Sequence, residues 1–574
     1  MSEPWLAHYD QGVPQSIGTY PEDTLAAIFS RHARTKPNDI AISFKGRQLT
    51  YAEIEREAAA LAAGLAKLGI RERDRVALVL PNCPQFVIAT LAVWRLGAIV
   101  HALNPIYTER EMHEAVRDMQ PAMVITLTPF YKKIKECEGC TFIRRVIATN
   151  IKEYLPPLLR VLFTLVKEKK EGHRITLENG DLWFQDLVRE GQEDPIVQIA
   201  ARHDDPAAIL MSGGTTGTPK GVLIQHRNLI MCGTQIAEWL REPLAVEGAA
   251  ILLPLPLFHI YGLGVLGSCT VGKTRLILIP NPRDVGDLLA TIKRERPSIL
   301  CGVPTLFTAI LNRPEVAAGK VDFSSIKACF SGAAALMAET KKRFETITGA
   351  RIVEGYSLTE AVMACCVNPF RGANKIGSVG MPLPDVKIRI LNSDDGLREM
   401  PAGETGEIVI SAPQLMQGYW NNPDESANVL RIMADGSIGL YTGDLGYLDE
   451  DGYLFLVDRK KDLIKTSGLQ VWPREVEEVL ATHAAVQEVG VAGLPDERRG
   501  EIVAAWIVPR SGVAITAEEL RNFCREKLAP YKIPSRIEFR GELPKTLVGK
   551  VLRRALVAEV TAEMAARRAA ATSS

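Results

Sequence analysis

The chain has 574 residues, too many for one compact hydrophobic core, and its length predicts two to four domains. Lys and Arg number 68, as do Asp and Glu, so the formal net charge is zero. This balance argues against a general electrostatic attraction of the whole chain to nucleic acid, and we expect no nucleic-acid partner. Any anionic ligand must be met by a local cluster of donors.

The cysteines and the N-terminus indicate the compartment. Ten cysteines are scattered singly, except for Cys365-Cys366 and Cys137-x-x-Cys140, which favours a reducing compartment over a disulfide framework. The CxxC has no second pair nearby, so a surface turn is favoured over a metal or redox site. The N-terminus lacks a basic region followed by an apolar one, and no apolar run reaches the ~20 residues of a membrane span. We therefore expect a cytoplasmic protein.

The first part of the chain alternates helical and strand patterns. Apolar residues recur at helical spacing over 24–37 and 51–70, and short β-rich runs follow at 75–81 and 122–128. Further strand-like runs lie at 207–211, 298–304 and 326–332. This order predicts an α/β fold: a large N-terminal domain of parallel-rich sheets with helices.

One segment of this region, 154–174, carries about a dozen mostly apolar residues followed by Lys167, Lys169 and Lys170. It is too short to span a bilayer, but such a pattern is typical of a helix lying in a membrane interface. A buried helix with a solvated basic end is the alternative. The segment thus predicts either peripheral membrane contact through 154–170 or an ordinary core helix.

The pattern changes to a small α+β unit near the C-terminus. Trp472-Pro473 predicts a helix start, and Thr516 with Glu519 forms a capping box for a helix whose inner face is Leu520, Phe523 and Leu528. The charged stretch 457–468 lacks helical amphipathicity and suits a hinge. We predict domains at 1–460 and 461–574.

Two glycine-rich loops compete as the phosphate site. "SGGTTGTPKGV", Ser212 to Val222, offers backbone N–H groups, hydroxyls and one ammonium; it follows a strand and precedes a region where helical spacing resumes. "GSCTVGKT", Gly267 to Thr274, is a literal Walker A match. A Walker A loop is entered from a strand and left by a helix, whereas this match follows a helical pattern and precedes the strand-like "RLILIP". We therefore interpret it as a chance match, and a P-loop ATPase as the weaker alternative.

Three further motifs complete a set with the first loop: "EGYSLTE" at 354–360, "YTGDLGYLDEDGYLFLVDRKKDLIKTSG" at 441–468 and "PKTLVGK" at 544–550. Together they resemble the adenylate-forming superfamily of acyl-CoA synthetases, adenylation domains and firefly-type luciferases, in order and spacing over nearly the whole chain. "LNPIYTERE", "LPLFHIYGLG", "GVPTLF" and "MQGYWNNPDES" look most like bacterial long-chain fatty acid CoA ligases. The resemblance also implies a small β-barrel-like subdomain and a mobile C-terminal domain.

The resemblance implies a site for ATP. Thr215, Thr216 and Lys220 would donate to the β- and γ-phosphates, Tyr356 would stack on adenine, and Asp444 would accept the ribose hydroxyls with help from a nearby arginine. The full implied set is Ser212, Gly213, Gly214, Thr215, Thr216, Gly217, Lys220, Gly332, Ala333, Ala334, Glu354, Gly355, Tyr356, Ser357, Thr359, Asp444 and Arg459.

It also implies the catalytic groups. Thr359 would bond the α-phosphate, Glu360 would coordinate Mg²⁺, and Lys550 would draw the carboxylate and the α-phosphate together. Lys461 falls at the hinge position, about which Lys465 would swing toward the site for the second half-reaction. Coenzyme A would contact Lys465, Ser467 and Gly468, and the implied catalytic set is Lys550, Thr359, Glu360 and Lys465.

The acyl pocket shows two departures from the family pattern. The implied pocket residues are His259, Leu263, Val303 and Gly332. Ala335 replaces the proline common in "SGAAAL", and Leu263 stands where some long-chain enzymes carry a tunnel-gating tryptophan.

The expected activity is ATP-dependent fatty acyl-CoA ligation with ATP, Mg²⁺ and CoA. The alternatives are a coumarate-type aryl-CoA ligase, an acyl-AMP ligase loading a carrier protein and a catalytically silent lipid-binding protein. Chain length is left open, and a homodimer is compatible with the sequence.

Overall fold

The computed structural model describes residues 3–137, 140–178, 180–196, 198–212, 220–496, 498–546 and 549–572, with side chains to residue 564. Its strands, numbered in chain order, are β1 Ile40–Phe44, β2 Arg47–Thr50, β3 Arg75–Val79, β4 Ile99–Ala102, β5 Met123–Leu127, β6 Arg145–Thr149, β7 Leu182–Trp183, β8 Pro206–Met211, β9 Gly221–Gln225, β10 Ala250–Leu253, β11 Arg275–Leu278, β12 Ile299–Gly302, β13 Ala328–Ser331, β14 Arg351–Tyr356, β15 Cys366–Val367, β16 Met381–Pro382, β17 Lys387–Leu391, β18 Gly406–Ser411, β19 Gly418–Tyr419, β20 Leu430–Ile432, β21 Ile438–Leu448, β22 Leu454–Arg459, β23 Ile464–Thr466, β24 Leu469–Val471, β25 Val486–Asp496, β26 Gly500–Pro509 and β27 Arg536–Phe539.

The α-helices are α1 Leu25–Thr35, α2 Tyr51–Lys67, α3 Pro84–Arg95, α4 Glu109–Met119, α5 Tyr131–Lys135, α6 Pro157–Leu162, α7 Phe184–Gly191, α8 His226–Trp239, α9 Ile260–Val271, α10 Val285–Glu295, α11 Pro304–Leu311, α12 Pro314–Ala317, α13 Ala338–Thr348, α14 Pro423–Val429, α15 Pro473–Ala481, α16 Ala517–Arg525 and α17 Arg553–Thr572. The helices predicted over 24–37 and 51–70 and the strand-like runs predicted from apolar spacing are confirmed, whereas residues 222–225, assigned to helical spacing, form the strand β9. No helix of the described residues is long and apolar enough to cross a membrane.

Two large sheets organise the N-terminal region. One has the strand order β16-β15-β14-β13-β12-β10-β11-β1-β2 and the other the order β19-β9-β8-β4-β3-β5-β6-β7. The central pairs are parallel. The first sheet turns antiparallel at both ends, at β15 and at β2, and the second turns antiparallel at one end, at β9. Helices cover the sheets, as expected for parallel strands buried on both faces. This confirms the α/β prediction.

Two smaller antiparallel-rich sheets follow. β17, β18, β21, β20 and β22 form one, which corresponds to the predicted small β subdomain. β23 to β27 form the other, which packs with α15, α16 and α17 around its own apolar clusters. The capping box of α16 is present, but the helix ends at Arg525 and its buried residues are Leu520 and Cys524. Phe523 instead packs against His483, so this part of the predicted inner face is wrong.

The Walker A match lies in the helix-to-strand order that the sequence indicated. Gly267 is inside α9, and the strand β11 follows. A Cβ at Gly233 of α8 would lie 3.2 Å from the carbonyl carbon of Gly267, so these glycines allow α8 and α9 to cross closely. The lysine of the match, Lys273, pairs with Asp39, 2.5 Å from Nζ to Oδ2. Close packing of α8 on α9 therefore accounts for Gly267 of this match.

Two other expectations are corrected. Cys137 and Cys140 form a disulfide and both are buried, so the surface-turn interpretation is wrong.

The segment after Pro156 forms α6 and a π-helical turn, Phe163–Lys167, in which Phe163 alone is buried. The core-helix alternative for this segment is therefore also wrong.

Candidate active site

Three of the predicted motifs follow the carboxyl ends of strands: β8 in one large sheet, and the neighbouring strands β13 and β14 in the other. The loop 212–220 follows β8, "SGAAAL" follows β13, and "SLTE" follows β14. Carboxyl ends of parallel strands are where open α/β sheets bind ligands. β19, from the motif "MQGYWNNPDES", pairs with β9 and carries the hydrogen bond from Tyr419 Oη to Glu360 Oε1, 2.8 Å. This contact joins the two sheets at the site.

The base of the glycine-rich loop is closed by its end residues. Ser212 N donates to Lys220 O over 2.7 Å, and Lys220 N donates to Ser212 Oγ over 3.2 Å. The loop joins the antiparallel strands β8 and β9, and α8 begins only at His226, so a strand leaves this loop before helical spacing resumes. Gly213, Gly214, Thr215, Thr216 and Gly217 lie outside the described residues.

Tyr356, Asp444 and Arg459 form one connected group although they lie far apart in the sequence. Tyr356 Oη donates to Asp444 Oδ2 over 2.8 Å, and Arg459 Nε lies 3.0 Å from Asp444 Oδ1. Burial raises the pKa of Tyr356, and Asp444 raises it further. For Arg459, burial lowers the pKa, but Asp444 and the other nearby acidic groups together more than offset this, so the guanidinium stays charged. The structure thus brings together the predicted adenine and ribose residues.

The "SGAAAL" turn packs closely on its neighbours near this group. A Cβ at Gly332 would lie 3.2 Å from Tyr261 Cε1 and 3.8 Å from Gly355 O. Ala333 adopts a left-handed φ of 65°, and the chain passes on through Ala334. A side chain at 332 would therefore crowd the ring of Tyr261, so the turn packs closely against α9.

The turn Thr359–Ala361 carries the predicted metal ligand. Glu360 accepts from Tyr419 Oη, and its backbone oxygen accepts from Met416 N over 2.8 Å. No group of three His, Cys, Asp or Glu side chains suited to a metal occurs in the described part of the chain. A single carboxylate nevertheless fits Mg²⁺, which proteins bind through one or two carboxylates plus substrate phosphates. The sequence carries no local signal for Tyr419, because its contact with Glu360 joins residues 59 positions apart.

Glu354 and Ser357 flank Tyr356. Burial raises the pKa of the Glu354 carboxyl, although Lys341 Nζ lies 3.9 Å away and opposes this. Ser357 Oγ donates to Leu358 O over 3.2 Å. Both residues therefore lie at the end of the strand that carries Tyr356.

The C-terminal lysine loop is docked on the N-terminal region. A Cβ at Gly549 would lie only 2.4 Å from Thr305 Oγ1, so the two segments are in close contact. Burial, and then the neighbouring Arg459, lower the pKa of Lys550 to about 8, while Asp444 opposes this. Lys550 is therefore in the electrostatic field of the Tyr356–Asp444–Arg459 group.

The residues predicted for the second half-reaction lie elsewhere. Lys465 is exposed and its backbone N–H donates to Glu501 Oε2 over 2.7 Å. Ser467 and Gly468 are exposed in the turn after it, both with positive φ. Lys461 lies exposed in the turn between β22 and β23. This conformation presents Lys550, rather than Lys465, to the site.

The predicted acyl-pocket residues line the start of two helices. His259 caps α9, accepting from Tyr261 N over 3.3 Å, and burial lowers its pKa to about 4. Leu263 is buried within α9, and Val303 precedes α11. Trp239 is also buried, with its indole N–H donating to Asn368 O.

The fold and this group of residues define the chain as an adenylate-forming enzyme of the α/β class. Residues 29–420 match the AMP-binding enzyme family, and residues 475–550 match the AMP-binding enzyme C-terminal domain. The chain belongs to the AMP-binding enzyme family.

Relatives and solved structures similar to this chain are CoA ligases. The chain is 40% identical over 563 residues to a long-chain-fatty-acid–CoA ligase of Bacillus subtilis, covering 97% of this chain and 98% of the relative. It is 36% identical over 562 residues to the Yersinia pestis protein of the same name, with the same coverage. The crystal structure of the anthranilate CoA ligase AuaEII with anthranoyl-AMP superposes with a TM-score of 0.80 and 26% identity, covering 95% of this chain and 99% of that one.

Proposed function

We propose that this chain is an ATP-dependent fatty acyl-CoA ligase with a medium- to long-chain fatty acid as substrate. In the first step a carboxylate oxygen bonds to the α-phosphorus of ATP, and the bond from that phosphorus to the bridging oxygen breaks, releasing pyrophosphate. In the second, the sulfur of CoA attacks the acyl carbon, AMP leaves and the thiol proton is lost. The product is acyl-CoA.

The observation that carries the proposal is the meeting of Tyr356, Asp444, Arg459 and Lys550 from distant parts of the chain. A carboxylate and a triphosphate repel each other, so the first step needs a cation between them. Lys550 supplies it, beside a pocket where Tyr356 packs the adenine and the Asp444 carboxylate accepts the ribose hydroxyls. Thr359 donates to the α-phosphate, and the loop 212–220 holds the two outer phosphates.

We assign Glu360 as the protein ligand of Mg²⁺. When bound, the cation offsets negative charge on the phosphates. Tyr419 fixes one carboxylate oxygen of Glu360 by a hydrogen bond, which orients the carboxylate.

The second step requires a different face of the C-terminal region. We assign the hinge to Lys461, between a domain 1–460 and a domain 461–574. Rotation about this turn withdraws Lys550 and brings Lys465, Ser467 and Gly468 to the thiol of CoA. Exposure of Lys461 allows its backbone torsions to change without loss of core contacts.

One assay tests the activity: pyrophosphate release on addition of acids from acetate through oleate, with benzoate and coumarate included. We expect release to be greatest with the longer fatty acids and thioester formation to require free CoA. Preference for coumarate would instead identify an aryl-CoA ligase, and a carrier-protein requirement an acyl-AMP ligase. Release of phosphate without any acid would favour a P-loop ATPase, and no release at all a silent lipid-binding protein.

We further propose that the segment 154–170 contacts a membrane surface. Leu158, Leu165 and Val166 expose 73%, 77% and 66% of their surface, and Leu159, Val161 and Leu162 are also exposed. The exposed Lys169 and Lys170 follow directly. An exposed apolar helix beside lysines fits the boundary of an anionic bilayer, from which a fatty acid substrate is drawn.

Sedimentation with phosphatidylglycerol-containing vesicles tests this contact. Replacing Leu158, Leu165 and Val166 together by Ser lowers binding by about tenfold or more, since each loses apolar surface that the bilayer covers. Leu397→Ser is the control, because Leu397 is 81% exposed on another surface. Equal binding by the triple variant and the control contradicts the proposal.

A further inference from the structure

Segment 416–426 connects the loop lysine with the carboxylate of Glu360. Gln417 N donates to Leu223 O, and Trp420 N donates to Gly221 O over 2.7 Å, which fixes the segment on the strand that leaves the phosphate loop. Tyr419 N donates to Ser426 Oγ over 2.8 Å, which fixes the segment to α14. A part of the chain two hundred residues from the loop is therefore held directly against it.

Two side chains of this segment face Lys220. The carboxylate of Glu425 forms an ion pair with Lys220 Nζ, and the ring of Tyr419 lies 5.0 Å from the same ammonium. The hydrogen bond from Lys220 lowers the pKa of Glu425, so the carboxyl is ionised at neutral pH. Glu425 has no place in the reaction steps above, although it holds the cation assigned to the outer phosphates.

We propose that Glu425 is the counter-ion that Lys220 leaves when ATP binds and recovers when pyrophosphate departs. This role rests on the proposed function and makes Glu425 a positioning residue. The pair is partly exposed, with 36% of the Lys220 side chain and 32% of the Glu425 side chain accessible, so solvent screens it and it opens at small cost. Bound ATP carries several negative charges and displaces the single screened carboxylate of Glu425 from Lys220. The same carboxylate competes with pyrophosphate for Lys220 and so weakens pyrophosphate binding.

The position of Glu425 suits such an exchange. Its backbone N–H donates to Asn422 Oδ1 in the first turn of α14, so the side chain starts from a fixed point. Lys461 of the hinge turn also lowers the pKa of Glu425, which places a second cation near the carboxylate. When Lys220 turns to the phosphates, Glu425 is thus left facing a positive charge.

The test is calorimetric titration of the full chain with pyrophosphate in the presence of Mg²⁺. Glu425→Gln removes the carboxylate that competes with pyrophosphate for Lys220. We expect this variant to bind pyrophosphate about two- to fivefold more tightly, the range expected for one partly exposed ion pair. Asp424→Asn removes the same charge from the same exposed turn and leaves the affinity unchanged. Lys220→Ala and the Lys220→Ala, Glu425→Gln double variant bind equally, because the effect of Glu425 acts through Lys220.

The direction of the change in pyrophosphate affinity decides whether Glu425 is the counter-ion. Weaker binding by Glu425→Gln means that the pair stays closed around the phosphates, and unchanged binding means that Glu425 has only a structural role; either result overturns the counter-ion proposal. In both cases the wild-type protein still binds pyrophosphate, and the proposed ligase function stands. Absence of any pyrophosphate binding by the wild type overturns both.

Discussion

The pH dependence of acyl-AMP formation tests the role of Lys550. Burial and the nearby Arg459 lower the pKa of this amine from 10.5 to about 8. Only the ammonium form can draw a carboxylate to the α-phosphate, so acyl-AMP formation must decline as pH rises through this value. The protonated fraction falls from about three quarters at pH 7.5 to about a tenth at pH 9.

The measurement is kcat/KM for fatty acid-dependent pyrophosphate release between pH 6.5 and 10, because this parameter reports the free enzyme. Wild type shows an alkaline decline with an apparent pKa of about 8. Lys550→Ala loses about 10²- to 10³-fold in rate, the usual effect of removing one preorganised electrostatic contact. Lys550→Arg keeps its charge at every pH tested, and its residual activity lacks the decline.

Thioester formation from supplied acyl-AMP and CoA is the internal control, since Lys550 is assigned to the first step only. Its alkaline profile is the same in wild type and Lys550→Arg. A wild-type profile for pyrophosphate release that is flat to pH 10, or the same decline in Lys550→Arg, would refute the reasoning.

Three further predictions concern ATP and stability. Asp444→Asn weakens ATP binding by about 1–3 kcal/mol in calorimetry, because the ribose loses an ionised acceptor; wild-type affinity would contradict the assignment. Lys220→Ala weakens ATP binding about tenfold or more, whereas Lys273→Ala in the Walker A match leaves it unchanged, and the reverse order would restore the P-loop alternative. His226 is fully buried with its pKa lowered from 6.5 to about 3, so the unfolded state binds the proton first as pH falls below 6.5. The free energy of unfolding in urea drops by about 2 kcal/mol from this residue between pH 7 and pH 5, and His226→Gln, which cannot titrate, should lack that part of the decline.

Local patterns were sufficient for most secondary structure. Apolar spacing predicted α1 and α2, and the capping box predicted at Thr516 forms in the structure. The reversed order of elements around Gly267 was also visible in the sequence, since a Walker A loop has a direction. These features depend on residues within a few positions of one another, which is why the sequence alone reveals them.

Other features depended on contacts that no local pattern encodes. The strand β9 after the phosphate loop is short, and it is stabilised by pairing with β8 and with β19 from nearly two hundred residues away. The sequence likewise did not determine that Leu158 and Leu165 are exposed, because an apolar helix has the same sequence pattern whether or not another element covers it.

By itself, the sequence determined the α/β class, the family and the types of residue that the reaction needs, because motif order and hydrophobic period are properties of the chain. Tertiary structure alone decided which of those residues meet. It joined Tyr356 to Asp444, put Gly549 against Thr305 and gave Lys220 a partner in Glu425. The physical reason is that the pKa of Lys550 and the pairing of Lys220 arise from burial and neighbouring charge, which exist only once distant segments have packed together.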